Sequence, residues 1–508
     1  MVNKQIISEI FGVQIIRCFG CSLYTDKPIF DLEHASLRAV EFKAETDVHD
    51  NLVSESLDYV FRGKLKETQG HVFIFDSAVL GKSLVYIVPA PDCIIPVLSI
   101  NEYTVKIKTQ GVDVITFVSD TLSVEKILRA VYKLSYKPKE LVAMSNTWGD
   151  RSGRTKICDA FIREEIDSAA ELGIDVVQID DGWQKDIPDV YDENGVRFFD
   201  DNFWELKKAV FPNGIRSLSD YAKARGVRLG LWFAPHSRNV FEKFDRDIAV
   251  IKNAYLNWHV THFKLDMLSL PDMEYVNKMQ ELLDNVSSFG DDIGIQLDVT
   301  YDKRLGYLAG AEYGTIFVEN RYTAWSNYYP HRTLRNLWRL SRYIPTSKFQ
   351  FEIVNPTLNR DKYSSEDMLR PELYDVDYMF ACVMFANPLF WMETQFLPQD
   401  CRRNLKPLIK EWRSHREFIL EADVYPVAEE PNGAAITGFV AQSNEIREII
   451  LIRECCERNT YTLKLDKAIQ SAELIFSNTE IEISACGSDM TVKFGKMRSY
   501  AWIKVKTL

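Results

Sequence analysis

The sequence predicts a (β/α)8 barrel set between an N-terminal antiparallel β domain and a C-terminal β-sandwich. Three observations carry this. Eight short apolar strand candidates alternate with helical runs over about 260 residues, close to the roughly 250 typical of one barrel. No Gly-x-Gly-x-x-Gly turn follows the first strand, as an open dinucleotide-binding sheet would require. Polar and acidic residues crowd the C-terminal strand ends at Asn146, Trp148, Asp180, Asp181, His236, Asp266, Asp298 and Glu319. In a barrel those ends share one face and converge on one pocket.

The elements follow in order. Residues 1–138 alternate apolar and polar positions in short runs such as Val72–Phe75, Ser83–Val88 and Tyr103–Lys108, separated by turn-forming Gly, Asp and Asn, which reads as antiparallel β structure. Residues 139–422 hold the barrel. Its strand candidates are Leu141–Trp148, Asp175–Asp181, Val227–Ala234, Thr261–Met267, Ile293–Thr300, Thr315–Asn320, Phe349–Asn355 and Pro388–Met392. Helices are expected at Asp159–Leu172, entered through Cys158-Asp159 and stopped by Gly173, at Leu218–Arg225 before Gly226, at Tyr275–Ser287, at Thr333–Tyr343 and at Arg402–Leu420. Residues 423–508 return to short alternating runs, among them Ala434–Val440, Glu448–Arg453, Thr460–Leu465 and Met490–Phe494, the pattern of a sandwich. No obvious linker separates the three parts, which suggests tight packing.

Composition narrows the function. Of 508 residues 46% are hydrophobic and 12% aromatic, enough for a large core and unlike a disordered chain. With 61 Lys+Arg against 73 Asp+Glu the net charge is −12, so nucleic acid would meet repulsion, while a neutral small molecule or sugar stays compatible. No window is apolar enough to span a membrane, and Glu9 interrupts the apolar stretch at Met1–Phe11, so neither signal peptide nor anchor is expected. The 9 cysteines are odd in number and scattered, which fits a reducing, cytoplasmic setting better than a disulfide framework. Cys18-x-x-Cys21 has no second pair at metal-ligand spacing and is read as free or buried thiols.

Several carboxylates could do chemistry. In His262-Phe263-Lys264-Leu265-Asp266 alternation puts His262, Lys264 and Asp266 on one face. A carboxylate at a strand tip with a lysine two residues earlier stays ionised, as a nucleophile must; the competing reading is an ion pair that braces the barrel. Glu319 ends the sixth strand and could face Asp266 across the mouth, giving the two carboxylates that double displacement at an anomeric carbon needs; alternatively it pairs with Arg321 or Arg304. Asp180-Asp181-Gly182-Trp183 ends the second strand, with one acid at the tip and the other on the turn. Paired acids beside an indole suit a pyranose, since carboxylates accept from vicinal hydroxyls and the ring packs on C–H faces. A divalent metal held by Asp180, Asp181, His236, His262 and Asp266 is the competing use, and we expect no metal or cofactor.

These residues resemble clan D glycoside hydrolases, in particular family 36, the retaining α-galactosidases and their relatives. The matching pieces are Ile179-Asp180-Asp181-Gly182-Trp183, Leu229-Gly230-Leu231-Trp232-Phe233-Ala234-Pro235 and Phe263-Lys264-Leu265-Asp266, in the family's order. The resemblance implies that Asp266 is the nucleophile, that Lys264 bonds a ring hydroxyl, that Asp180 and Asp181 hold the hydroxyls at positions 4 and 6, and that Trp148 and Trp183 line the pocket. Trp232, His236, Asp298, Arg304 and Arg321 complete the expected substrate-binding set. The sixth-strand acid of the family is an Asp, and the position that looks like it here is Glu319. The family's Cys-Ser-Gly-Gly-type stretch is absent, Asp298–Arg304 standing there instead, and the N-terminal domain is shorter than usual.

The expected function is therefore a retaining exo-α-glycosidase acting on a small carbohydrate, α-galactosidase first, with Asp266 attacking and Glu319 protonating. The same mechanism on an α-N-acetylgalactosaminide or α-glucoside, a transglycosylase, and a non-catalytic sugar-binding barrel are the alternatives. Clan members often form oligomers, so a homo-oligomer is admitted by analogy.

Overall fold

A computed structural model describes residues 3–10, 13–19, 32–102, 104–150, 153–185, 190–191, 197–198 and 202–508. Eight parallel strands close into a barrel. They are β1 (Met144–Asn146), β2 (Val176–Ile179), β3 (Arg228–Phe233), β4 (His262–Leu265), β5 (Gly294–Asp298), β6 (Thr315–Phe317), β7 (Phe349–Ile353) and β8 (Asn387–Phe390), and β8 pairs back onto β1. Each lies inside its sequence-predicted window except at Asn387, one residue outside. The ladders are shorter because strand tips leave the sheet to form the rim.

The helix Asp159–Leu172 follows β1 and ends where Gly173, at φ 85°, returns N–H donors to Ala169 and Ala170. Four helices begin earlier than apolar periodicity suggests, Met273–Ser287 and Gln399–Glu421 by two and three residues. Pro330 starts Pro330–Leu340, since proline at the first helical position gives up an N–H that would have no partner there. Gly214–Lys223 starts a full turn before Leu218. The connection from β5 to β6 is irregular from Val299 to Gly314 and contains no helix.

The barrel interior is unusually polar. Asn146 donates to Gln178 at 2.8 Å and Gln178 to Gln296 at 2.8 Å, linking β1, β2 and β5 across one layer. Below it, His262 fills the N-terminal end. Glycine is required beside it, because a Cβ on Gly294 would fall 2.5 Å from the imidazole.

Antiparallel sheets flank the barrel. On the N-terminal side a seven-stranded sheet runs in the order Asn3–Ile10, Val13–Phe19, Val114–Asp120, Lys82–Ile87, Val72–Ser77, Ala35–Phe42, Val53–Tyr59, beside a three-stranded sheet. On the C-terminal side a five-stranded sheet built around Ile446–Arg453 packs on a three-stranded one over a core that includes Ile436, Leu451, Val492 and Ile503. Arg129 ties the ends together, gripping Asp423 through Nε at 2.7 Å and Nη2 at 2.9 Å and donating to the Arg342 carbonyl at 2.8 Å. Among the described residues no helix is long and apolar enough to cross a membrane. Cys18 and Cys21 fall in the stretch 1–31, where side chains lie outside the described residues.

Candidate active site

Lys264 organises the C-terminal mouth. Its ammonium lies 3.4 Å from Asp298 at the end of β5, 3.6 Å from Asp266 just past β4 and 3.7 Å from Asp180 just past β2. Alternation along β4 delivers Lys264 and Asp266 to the same side. The ammonium also sits over the Phe317 ring at 4.5 Å and the Trp391 ring at 4.9 Å. Burial acts to strip its proton, but the three carboxylates more than offset this and hold it above the ordinary lysine value.

Asp266 is the acid most open to solvent among these four groups, with 21% of its side chain exposed. Oδ2 accepts from the Trp232 indole N–H at 3.0 Å and Oδ1 from the Met267 amide at 2.5 Å. Arg304 Nη2 lies 3.7 Å from Oδ1. Burial would raise its pKa, yet Lys264, Arg304 and the two donors hold the carboxyl below the usual range, hence ionised. Met267, the next residue, adopts φ 52°, a left-handed conformation that β-strand continuation forbids, and this turns the chain so that its amide points back at Asp266.

Asp180 accepts from Asn146 at 2.8 Å, and its backbone N–H donates to Thr147 at 3.0 Å. Burial raises its pKa. Asp181 instead accepts from Gln184 within the turn at Gly182, whose φ of 138° suits glycine. Asp298 accepts on Oδ1 from the Thr300 amide at 2.8 Å and hydroxyl at 2.7 Å, leaving Oδ2 toward Lys264. Burial and the neighbouring Asp266 push its carboxyl up to about 6. Trp148 is half-buried at the rim, its amide donating to Asn146 at 2.8 Å.

Other predicted site residues lie elsewhere. Trp183 is 1% exposed: its indole stacks on Trp204 at 5.6 Å and donates to the Trp232 carbonyl at 2.9 Å, so it backs the pocket wall instead of lining it. The His236 ring bonds Glu242 at 3.0 Å and its amide donates to Asp247 at 2.6 Å. His262 lies at the opposite barrel end, four residues and so about 13 Å along the strand from Asp266. Burial drives its pKa down to about 3. Neither imidazole joins the acids, which leaves the metal reading without nitrogen ligands. Arg321 is drawn to the N-terminal side, Nη2 reaching Asp50 at 2.9 Å and the His49 carbonyl at 3.4 Å.

Glu319 does not occupy the position expected of a proton donor at the mouth. β6 ends at Phe317, after which alternation no longer governs direction. The carboxylate is 1% exposed and turns to the helix Pro330–Leu340, accepting from Thr333 at 2.8 Å and Asn336 at 2.5 Å. Neither Arg321 nor Arg304 claims it.

Two site residues escaped sequence reasoning. Trp391, just past β8, is fully buried beneath the Lys264 ammonium and could have been found by the strand-end rule that selected the others. Asp47 comes from the turn after the strand Ala35–Phe42. Its amide donates to the Thr300 carbonyl at 3.0 Å, Glu45 N–H donates to Val299 at 2.9 Å, and Asn320 donates to its Oδ2 at 3.2 Å. This places an exposed N-terminal carboxylate on the rim between β5 and β6.

The melibiase family model matches residues 100–287, the stretch that supplies β1 to β4. An α-galactosidase of Lactobacillus acidophilus is 27% identical over 126 residues, 25% of this chain and 15% of that protein. One from Oryza sativa subsp. japonica is 25% identical over 150 residues, 28% of this chain and 33% of its own length. The matched segments thus span a third or less of these relatives. Over 97% of this chain and 78% of its own, the family 36 α-galactosidase AgaA of Geobacillus stearothermophilus superposes with TM-score 0.67 at 14% identity. The α-galactosidase of Lactobacillus brevis does so over 99% and 77% with TM-score 0.69 at 10% identity. The chain is thus similar to the α-galactosidases in sequence over β1 to β4, and to those of glycoside hydrolase family 36 in fold over nearly its whole length. The motifs around Asp180, Trp232 and Asp266 fall inside the matched segment, whereas Asp47 and Glu319 lie outside it.

Proposed function

We propose that the chain is a retaining exo-α-glycosidase, with α-galactosides as its first substrate class. The observation that carries this is Asp266: a carboxylate kept ionised by Lys264 and Arg304, oriented by the Trp232 and Met267 N–H groups, and open to the mouth. Double displacement asks for such a group. Its oxygen attacks the anomeric carbon, the aglycone oxygen leaves with a proton, and water then displaces the carboxylate from the glycosyl ester with net retention.

Asp180, Asp298 and Lys264 offer acceptors and a donor around one small volume, which suits the hydroxyls of a single terminal sugar. Asp181, held by Gln184, steadies the same loop. The family supports a galactoside, and a variant of AgaA was solved in complex with raffinose, an α-galactoside. We do not retain Glu319 as the proton donor, because its carboxylate is committed to Thr333 and Asn336.

The test is 4-nitrophenyl α-galactoside turnover with the product anomer followed by NMR. The α anomer should form first. Asp266→Ala should lower kcat by at least about a thousandfold, about 4 kcal/mol at 1.36 kcal/mol per decade. An inverted product, or a variant that keeps its rate, would overturn the assignment. Parallel α-N-acetylgalactosaminide and α-glucoside assays decide the sugar.

A further inference from the structure

Double displacement needs a second group that can give a proton to the leaving oxygen and later take one from water. Among the described residues Glu319 is turned to its helix, Asp180 and Asp298 are buried against Lys264, and Asp181 is bonded to Gln184. Asp47, among the described residues, presents an exposed carboxylate at the rim.

Its placement is built, not incidental. Backbone bonds from Glu45 and Asp47 to Val299 and Thr300 dock the turn directly above β5, whose Asp298 faces Lys264. On the other side Arg321, just past β6, grips Asp50 and the His49 carbonyl. The turn itself closes through Val48 N–H and His49 N–H to the Glu45 carbonyl at 2.8 and 3.1 Å. Asn320 sets the side chain: because the Tyr322 hydroxyl donates to its Oδ1, its amide N–H is the end that meets Asp47 Oδ2. That leaves Oδ1 as the oxygen to carry a proton.

We propose that Asp47, delivered by the N-terminal sheet, is the catalytic acid and base that works opposite Asp266. This rests on the reading of Asp266 given above. In the first step the Asp266 carboxylate forms a bond to the anomeric carbon, the bond to the aglycone oxygen breaks, and that oxygen takes the Asp47 proton. In the second, Asp47 carboxylate takes a proton from water, whose oxygen bonds to the anomeric carbon as the ester to Asp266 breaks. Asp47 ends protonated and Asp266 ionised, as they began. The groups facing Asp47 fit this cycle. Although the residue is exposed, partial desolvation where its turn docks on the barrel raises its pKa, as does the negative Asp266, while the Asn320 bond, Arg321 and Lys264 pull it down, and the outcome is a carboxyl above its ordinary value. The nucleophile Asp266 is held low, and two acids with oppositely displaced affinities are what the two roles require.

The experiment compares the parent with Asp47→Ala and with the near-isosteric Asp47→Asn on methyl and 2,4-dinitrophenyl α-galactosides, with and without sodium azide. General acid catalysis contributes about 100- to 10,000-fold, so kcat/KM on the methyl glycoside should fall by that much. On the dinitrophenyl substrate, whose phenolate leaves without a proton, it should fall less than about tenfold. Azide needs no general base, so it should restore dinitrophenyl turnover and yield α-galactosyl azide, which also shows the variant is folded. The proposal is overturned if the parent hydrolyses with retention but Asp47 variants lose both substrates alike without azide products. It is equally overturned if azide rescues Glu319→Gln instead. If the parent inverts or turns over neither substrate, the Asp266 reading falls first and this one with it.

Discussion

Replacing Lys264 by Met tests the organisation of the whole site. Methionine keeps an apolar stem over Phe317 and Trp391 while removing the charge that three carboxylates share at 3.4 to 3.7 Å. At an effective dielectric constant near 20, each such pair is worth about 4 to 5 kcal/mol of Coulomb attraction before desolvation. Desolvation of the lysine itself cancels much of that. The net cost of removing one partner of a buried pair is about 3 to 5 kcal/mol. Its pH dependence has a definite sign. Asp298 is already pushed up to about 6 by burial and Asp266, and without the ammonium Asp180 and Asp266 move upward as well. A carboxyl whose folded pKa exceeds its unfolded one binds more protons when folded, so it favours the fold at low pH and loses that contribution as pH rises through the folded value. The variant should therefore be weakest at pH 8 and recover toward pH 5. In the parent Asp266 acts oppositely: held low, it stabilises above the unfolded value and loses this in acid. Urea unfolding of both proteins at pH 5 and 8, followed by tryptophan fluorescence, reads the difference. A deficit below about 1 kcal/mol, or one equal at both pH values, would refute the shared-counterion account.

Further outcomes follow from the same geometry. The pH–rate profile should show an inflection near pH 6 from Asp298, and Asp298→Asn should abolish it; an inflection that persists belongs to another group. Glu319→Gln should cost about 1 to 3 kcal/mol in chemical denaturation, because an amide cannot accept both the Thr333 and Asn336 bonds. A stability equal to the parent's would mean that the carboxylate is not committed there. Trp183→Phe should lower stability by about 1 to 2 kcal/mol through the lost Trp232 bond and poorer packing on Trp204. If it instead raised KM tenfold with no change in denaturation midpoint, the indole would touch substrate after all.

The parts of the site that could be read from sequence are those governed by strand periodicity. Lys264 and Asp266 share a face because side chains two residues apart must, and Asp180 ends a strand whose apolar run stops at Ile179. Trp183 was misplaced because φ 138° at Gly182 turns the chain back, a degree of freedom only glycine has and no residue pattern records. Glu319 was misplaced because its ladder ends two residues earlier, so nothing fixes its direction until Thr333 and Asn336 arrive from the next helix. Trp391 carries the same strand-end signal, one residue past Phe390 at the end of β8. Asp47 had none: Glu45-Thr46-Asp47 reads as a polar turn in another sheet.

What the sequence determined by itself is whatever follows from local period and punctuation: eight apolar strands, the helices between them, the flanking alternating runs, and the motifs at the ends of β2 and β4. These are interactions between near neighbours in the chain, and their spacing is written in the order of residues. Only the tertiary structure decided which acids face one ammonium, which tryptophan supports the pocket from behind, and that a turn from the N-terminal sheet reaches the rim. Those depend on where distant segments meet, through bonds such as Asp47 to Thr300 and Arg321 to Asp50, and no local pattern in either segment specifies the other.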